Sequence, residues 1–158
     1  MGPASERVWG RCAADPAPGA GLVVRGTGVA AAGAGLLIIG PPGSGKSALA
    51  AAMIALGAEL VGDDAVTIRP GVMPKMTPPP GGTGLIEIRG LGLVPAPTCG
   101  GAPLHALVDM AEAETERLPP PRTRAAWGAV LPLFHVSASP AFAAGLVLYL
   151  RSGCRITR

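Results

Sequence analysis

Lysine is nearly missing from this sequence: only Lys46 and Lys75 occur, and arginine carries almost all of the positive charge. Aromatic residues make up 3% of the 158 residues, so a core has to be assembled from Ala, Val, Leu and Ile, side chains that pack well in layered α/β structures. No Lys/Arg run and no basic segment interleaved with aromatics is present, and a net charge of +3 so dispersed gives no reason to expect a nucleic-acid partner. Long apolar runs are missing as well. Leu36-Leu37-Ile38-Ile39 falls far short of the ~20 residues a membrane span needs, and Met1-Gly2-Pro3-Ala4-Ser5-Glu6 has no signal-peptide core. Cys12, Cys99 and Cys154 form no CxxC pair and have no metal-ligand spacing, which reads as reduced thiols used as filler. These absences lead us to expect a soluble, cytoplasmic protein with neither a membrane nor a nucleic-acid partner.

What the sequence does have is an apolar fraction of 49%, ample for one buried core at this length. Residues 1–21, rich in Ala, Gly and Pro, read as a loose N-terminal segment, and residues 22–158 as one domain. Leu22 to Ala30 reads as a strand broken by its glycines, and Ala32-Gly33-Ala34-Gly35 as a turn. Leu36 to Ile39 is uniformly apolar, as expected of a strand with both sheet faces covered. Ser47 to Leu56 consists of strong helix formers, followed by Gly57 at a helix C-terminus. Ala65 to Ile68 reads as a strand, Pro70 to Gly84 as a surface loop, and Leu85 to Arg89 alternates as a strand does. Leu104 to Ala113 fits either a helix face or a strand face. Gly128 to Val136 reads as a late strand, and Gly145 to Leu150 as a terminal helix or strand.

Gly40-Pro41-Pro42-Gly43-Ser44-Gly45-Lys46-Ser47 satisfies G-x-x-x-x-G-K-[ST] without a mismatch. Its chemistry follows from its residue types. The glycines let the backbone curl so that successive N–H groups point at phosphate oxygens, and the following helix directs its positive end at the same anion. Lys46 can reach the β- and γ-phosphates, and the Ser47 hydroxyl can ligate magnesium. An apolar strand, the glycine loop and a helix follow in the order a phosphate-binding P-loop (Walker A) demands, so nucleotide with Mg2+ is the expected ligand. Downstream, Asp63-Asp64 follows Leu60-Val61 at a strand end, where a P-loop site draws its carboxylate. Either aspartate can face the phosphates.

Three segments in this order, Gly40 to Ser47, Ala58-Glu59-Leu60-Val61-Gly62-Asp63-Asp64-Ala65-Val66, and Ile86-Glu87-Ile88-Arg89-Gly90-Leu91-Gly92, resemble the catalytic domain of HPr kinase/phosphorylase. The likeness runs from about Val23 to Leu150 and is nearest the short alphaproteobacterial form, which lacks the N-terminal domain of longer members. It implies a single P-loop kinase domain of α/β fold, of the HPr kinase / phosphoenolpyruvate carboxykinase type, with a mixed sheet and flanking helices. It also implies a serine kinase that uses ATP and Mg2+, phosphorylates the phosphocarrier protein HPr, and can reverse the step with inorganic phosphate. A homo-oligomer, a hexamer in the family, is implied too. By matching motif, Gly40, Pro41, Pro42, Gly43, Ser44, Gly45 and Lys46 would hold phosphate. Ser47 and Glu87 would hold magnesium, and Asp64, with Asp63 as rival, would be the base. Arg117 matches a catalytic arginine. Arg25 stands where the family carries a histidine; it can bind phosphate but cannot shuttle protons near neutral pH. The Ser137 to Gly145 segment lacks the basic signature of longer members. A kinase for another protein or a small molecule, or a nucleotide-binding regulatory module without turnover, are the rival readings.

Overall fold

A computed structural model describes residues 21–157; the loose segment expected over residues 1–21 falls, save for Gly21, outside them. Among the described residues, eleven strands and two helices follow in the order β1 (Leu22–Arg25), β2 (Thr27–Ala31), β3 (Ala34–Ile39), α1 (Lys46–Ala55), β4 (Glu59–Gly62), β5 (Ala65–Arg69), β6 (Lys75–Thr77), β7 (Leu85–Ile88), β8 (Gly92–Pro95), β9 (Ala102–Ala113), β10 (Thr123–Ala126), β11 (Ala129–Val136) and α2 (Phe142–Arg151). Nine strands make one mixed sheet, ordered β1-β5-β6-β9-β3-β2-β4, with β11 also on β9 and β10 on β11; β7 and β8 form a separate hairpin.

Among the described residues, the strand pairs β3–β9 and β9–β11 of this sheet are parallel and its other strand pairs antiparallel. The carboxyl ends of β3, β9 and β11 therefore lie together, with Ile39 beside Asp109 and Asp109 beside His135. That edge is where ligands bind in sheets of this kind.

Every residue of β3 is buried because both faces are covered. Leu36 and Ile38 pack with Ala106, Val108, Ala50 and Met53 under α1, and with Leu146 and Leu150 of α2. Leu37 and Ile39 pack with Leu104, Leu107, Val66, Ile68, Met76 and Leu131, side chains of the sheet itself. Both cores are almost wholly aliphatic. Phe134 and Tyr149 make an edge-to-face ring pair with centroids 5.1 Å apart.

The Pro70–Gly84 surface loop needs correction. Lys75–Thr77 is a strand that joins β5 to β9, and Met76 inside it is fully buried. A side chain at Gly28 would approach the Met76 sulfur to 2.7 Å, so the glycine in β2 makes room for that thioether. Three residues between Pro74 and Pro78 are too few for a periodic signal, and the prolines around them dominate the composition. The undecided stretch over 104–113 is resolved as part of the 12-residue β9, because pairing on both edges outweighs its helix-compatible spacing.

Candidate active site

The glycine loop leaves β3 at Ile39 and enters α1 at Lys46. Gly43 and Gly45 adopt φ of 76° and 94°, left-handed backbone that L side chains adopt only at a cost. No side chain caps α1, so its first N–H groups are directed at the loop. Ser44 Oγ is buried within the loop and has no hydrogen-bond partner among the described residues, which leaves a donor for an anionic oxygen. Lys46 Nζ donates to the carbonyls of Gly40 (3.0 Å) and Pro41 (2.9 Å), holding the ammonium over the loop. Met110 of β9 supports the loop from below. A side chain at Gly40 would come within 2.8 Å of Met110 Cβ, and one at Gly45 within 3.5 Å of its Cε.

Asp63 is the hub of the site. Its Oδ1 accepts from Ser47 Oγ (2.7 Å) and Thr27 Oγ1 (3.0 Å), and its Oδ2 accepts from the Glu87 backbone N–H (3.1 Å). Asp63 and Asp64 form the turn between β4 and β5, so strand alternation does not place them. Asp64 sits at φ 64°, a conformation aspartate tolerates, and its side chain is exposed. Its carbonyl accepts from Gly26 N–H at 3.1 Å, and Arg25 pairs with Ala65 across β1 and β5. Arg25 thus stands at the Asp63-Asp64 turn with its side chain exposed.

Glu87 lies on β7, its amide on Asp63 and its side chain exposed. Arg117 lies in the segment after β9, exposed, at the same sheet edge as the P-loop. The structure therefore joins Ser47, Asp63 and the Glu87 backbone in one network. It leaves the Asp64 and Arg25 side chains on the surface at the turn beside Asp63, and the Arg117 side chain on the surface beyond β9. Thr27 was not foreseen. A threonine in a glycine-broken strand carries no signal in sequence, and only the β2–β4 pairing brings it to Asp63. Met110 fits either apolar face in the sequence, and only the β3–β9 pairing brings it under the loop.

The shifted ionisations lie away from the glycine loop. Glu114 is held below the ordinary carboxylate value, first by its hydrogen bond from Arg122 and then by the Glu116 amide. Burial pushes Tyr149 up to about 12 and raises the Cys154 thiol. Among the described residues, no three His, Cys, Asp or Glu side chains cluster to hold a metal by themselves. Magnesium asks for less: it keeps waters and takes one or two carboxylates with phosphate oxygens, and the all-oxygen set of Ser47, Asp63 and Glu87 suits it.

A glycine loop between a doubly covered parallel strand and a helix, with a carboxylate on the first helical hydroxyl, defines a P-loop domain of α/β fold. The sequence profile of the family described as "HPr Serine kinase C-terminal domain" matches residues 20–104, more than half of the chain, and the chain belongs to that family. It is 38% identical over 84 residues to an HPr kinase/phosphorylase of Clostridium tetani, covering 49% of this chain and 25% of that protein. It is 43% identical over 67 residues to one of Clostridium novyi, covering 41% and 22%. The chain thus spans about a quarter of the length of these curated relatives. It shares its fold with the solved structure of the Hpr(Ser) kinase/phosphatase from Coxiella burnetii. That match has a TM-score of 0.67 and 20% identity, and covers 83% of this chain and 95% of that one. Arg117 lies beyond the residues the family profile matches.

Proposed function

We propose that this domain transfers the terminal phosphoryl group of ATP to a serine of the phosphocarrier protein HPr, and can remove it by phosphorolysis. The observation that carries this reading is the Ser47–Asp63 hydrogen bond at the start of α1, directly under the glycine loop. It fixes a hydroxyl and a carboxylate at the place a phosphate-bound cation occupies. Magnesium, held by Ser47 Oγ with the carboxylates of Asp63 and Glu87, would neutralise charge on the transferring group.

The chain's own residues do the rest. The loop amides and Lys46 Nζ hold the β- and γ-phosphates, the ammonium exchanging the Gly40 and Pro41 carbonyls for phosphate oxygens. Asp63 is committed to Ser47, Thr27 and the Glu87 amide, so Asp64, exposed beside it, is the residue available to an incoming serine. As the serine oxygen bonds to the γ-phosphorus and the bond to the β,γ-bridging oxygen breaks, Asp64 takes the serine proton and ADP leaves. Arg117 offsets charge on the phosphoryl oxygens. Arg25, beside Asp64, binds phosphate but offers no imidazole to pass a proton, which favours the kinase direction over phosphorolysis, and Arg25→His should raise phosphorolysis relative to kinase activity.

Among the described residues no helix is long and apolar enough to cross a membrane. We take the protein to be cytoplasmic and homo-oligomeric, with residues 22–158 as the catalytic domain. Incubation with labelled ATP, magnesium and HPr should yield phosphoserine on HPr, and far less of it with Lys46→Ala. Transfer to a different acceptor, or nucleotide binding without turnover, would replace this reading.

A further inference from the structure

β11 lies between β9 and β10, so the chain must cross the carboxyl end of β11 to pass from Ala113 to Thr123. That crossing is the segment carrying Arg117. Its start follows an irregularity in β9: His135 pairs with Asp109, yet the next residue, Val136, pairs with Ala113. Three residues of β9 are absorbed there, among them Met110, whose Cβ a side chain at Gly40 would meet. Both feet of the crossing are tied to the strand beneath, Glu114 N–H to Val136 O (2.7 Å) and Leu133 N–H to Arg122 O (2.9 Å).

The two feet are also tied to each other. Arg122 donates to the Glu114 carboxylate through both terminal nitrogens, Nη1 closely to Oε2 and Nη2 to Oε1 at 3.5 Å. Oε1 further accepts the backbone N–H groups of Thr115 (3.0 Å) and Glu116 (3.1 Å). One carboxylate therefore fixes the two residues immediately before Arg117. The Glu114 side chain is 9% exposed although the segment it anchors is exposed at Thr115 to Leu118, so the fastening is at the neck. Pro119, Pro120 and Pro121 stiffen the return path.

We infer that Glu114 and Arg122 are positioning residues that clasp the neck of the β9–β10 crossing and so fix where Arg117 meets the transferring phosphoryl group. The inference rests on the role given to Arg117 above. The lowered ionisation of Glu114, caused first by Arg122, agrees with a carboxylate used in its charged form. Neither residue touches the glycine loop, so the clasp acts on the transfer step and leaves nucleotide binding alone. A misplaced charge-stabilising group costs about ten- to a hundredfold in rate.

The test is a double-mutant cycle in the full chain, with amide exchange measured alongside. Glu114→Ala should lower kcat about tenfold or more at unchanged KM for ATP, and Glu114→Gln, which keeps an acceptor for the two amides, should lose less. In an Arg117→Ala background, Glu114→Ala should change kcat less than about twofold, because the group it positions is gone. Additive losses, or a raised KM with kcat preserved, would overturn the proposal. Exchange at Thr115 and Glu116, and trypsin cleavage after Arg117, are read without any activity. Both should accelerate in Glu114→Ala, and equal rates in wild type and variant would sink the clasp even if phosphoryl transfer is confirmed. No transfer by the wild type would instead overturn the proposed function, while exchange and cleavage still decide whether the clasp exists.

Discussion

Two loops leave the carboxyl edge of the same sheet, and they are held in opposite ways. The glycine loop is held by its own backbone: left-handed glycines, a helix N-terminus that closes it, and a lysine that donates to its own loop's carbonyls. The β9–β10 crossing is held by side chains, an ion pair at its neck and three prolines on its return. The first solution presents N–H groups, which suits a ligand with many anionic oxygens. The second presents one long side chain at a fixed origin. A loop built from backbone is written in consecutive residues; one built from a clasp is written in residues eight apart whose pairing depends on the strand between them.

That contrast can be broken from either side. The largest effect should come from Lys46→Ala, which removes the charge we propose to face the phosphates. We expect a loss of transfer of about 10²–10³-fold with little change in thermal stability without nucleotide, measured by HPr phosphorylation and thermal melting. Thr27→Val comes next. It deletes one of three donors to Asp63 in a fully buried, isosteric position, so stability should fall by about 1–2 kcal/mol. The magnesium requirement for half-maximal rate should rise with it, and an unchanged requirement would make Thr27 a packing residue only.

The backbone contrast is sharper in smaller substitutions. Gly43→Ala meets no atom within 4 Å, so its cost of about 1–2 kcal/mol should come from φ alone, together with weaker nucleotide binding. Pro120→Ala acts mainly through the unfolded chain and should cost about 0.4–1 kcal/mol, with nucleotide affinity unchanged by calorimetry. The smallest effect is in acid. Glu114 ionises below its ordinary value of 4.5 in the folded protein, so its contribution is complete above that value and is lost as pH falls through the lowered one. Lower protection of the Thr115 and Glu116 amides over that window, taken against the intrinsic exchange rate at each pH, with both amides protected at neutral pH, is the expected result.

Legibility in the sequence followed the same divide. Gly40 to Ser47 could be read because each residue's role depends on its neighbours in the chain. The doubly covered strand could be read because burial on both faces leaves an unbroken apolar run from Leu36 to Ile39. Asp63 and Asp64 could be located but not told apart, since they lie in a turn where alternation has ended. β6 was hidden by the prolines around it, and β10, the edge strand, is four residues with little apolar pattern.

By itself the sequence determined the glycine loop, the helix behind it, the aliphatic nature of the core and the resemblance to the family, because these rest on local backbone chemistry and composition. Tertiary structure alone decided that Asp63 takes Ser47 while Asp64 faces solvent, that Thr27 completes the hub, and that Glu114 meets Arg122 across β11. Each of these depends on strand pairing between distant segments. A short polar side chain carries no mark of the partner such pairing will bring to it.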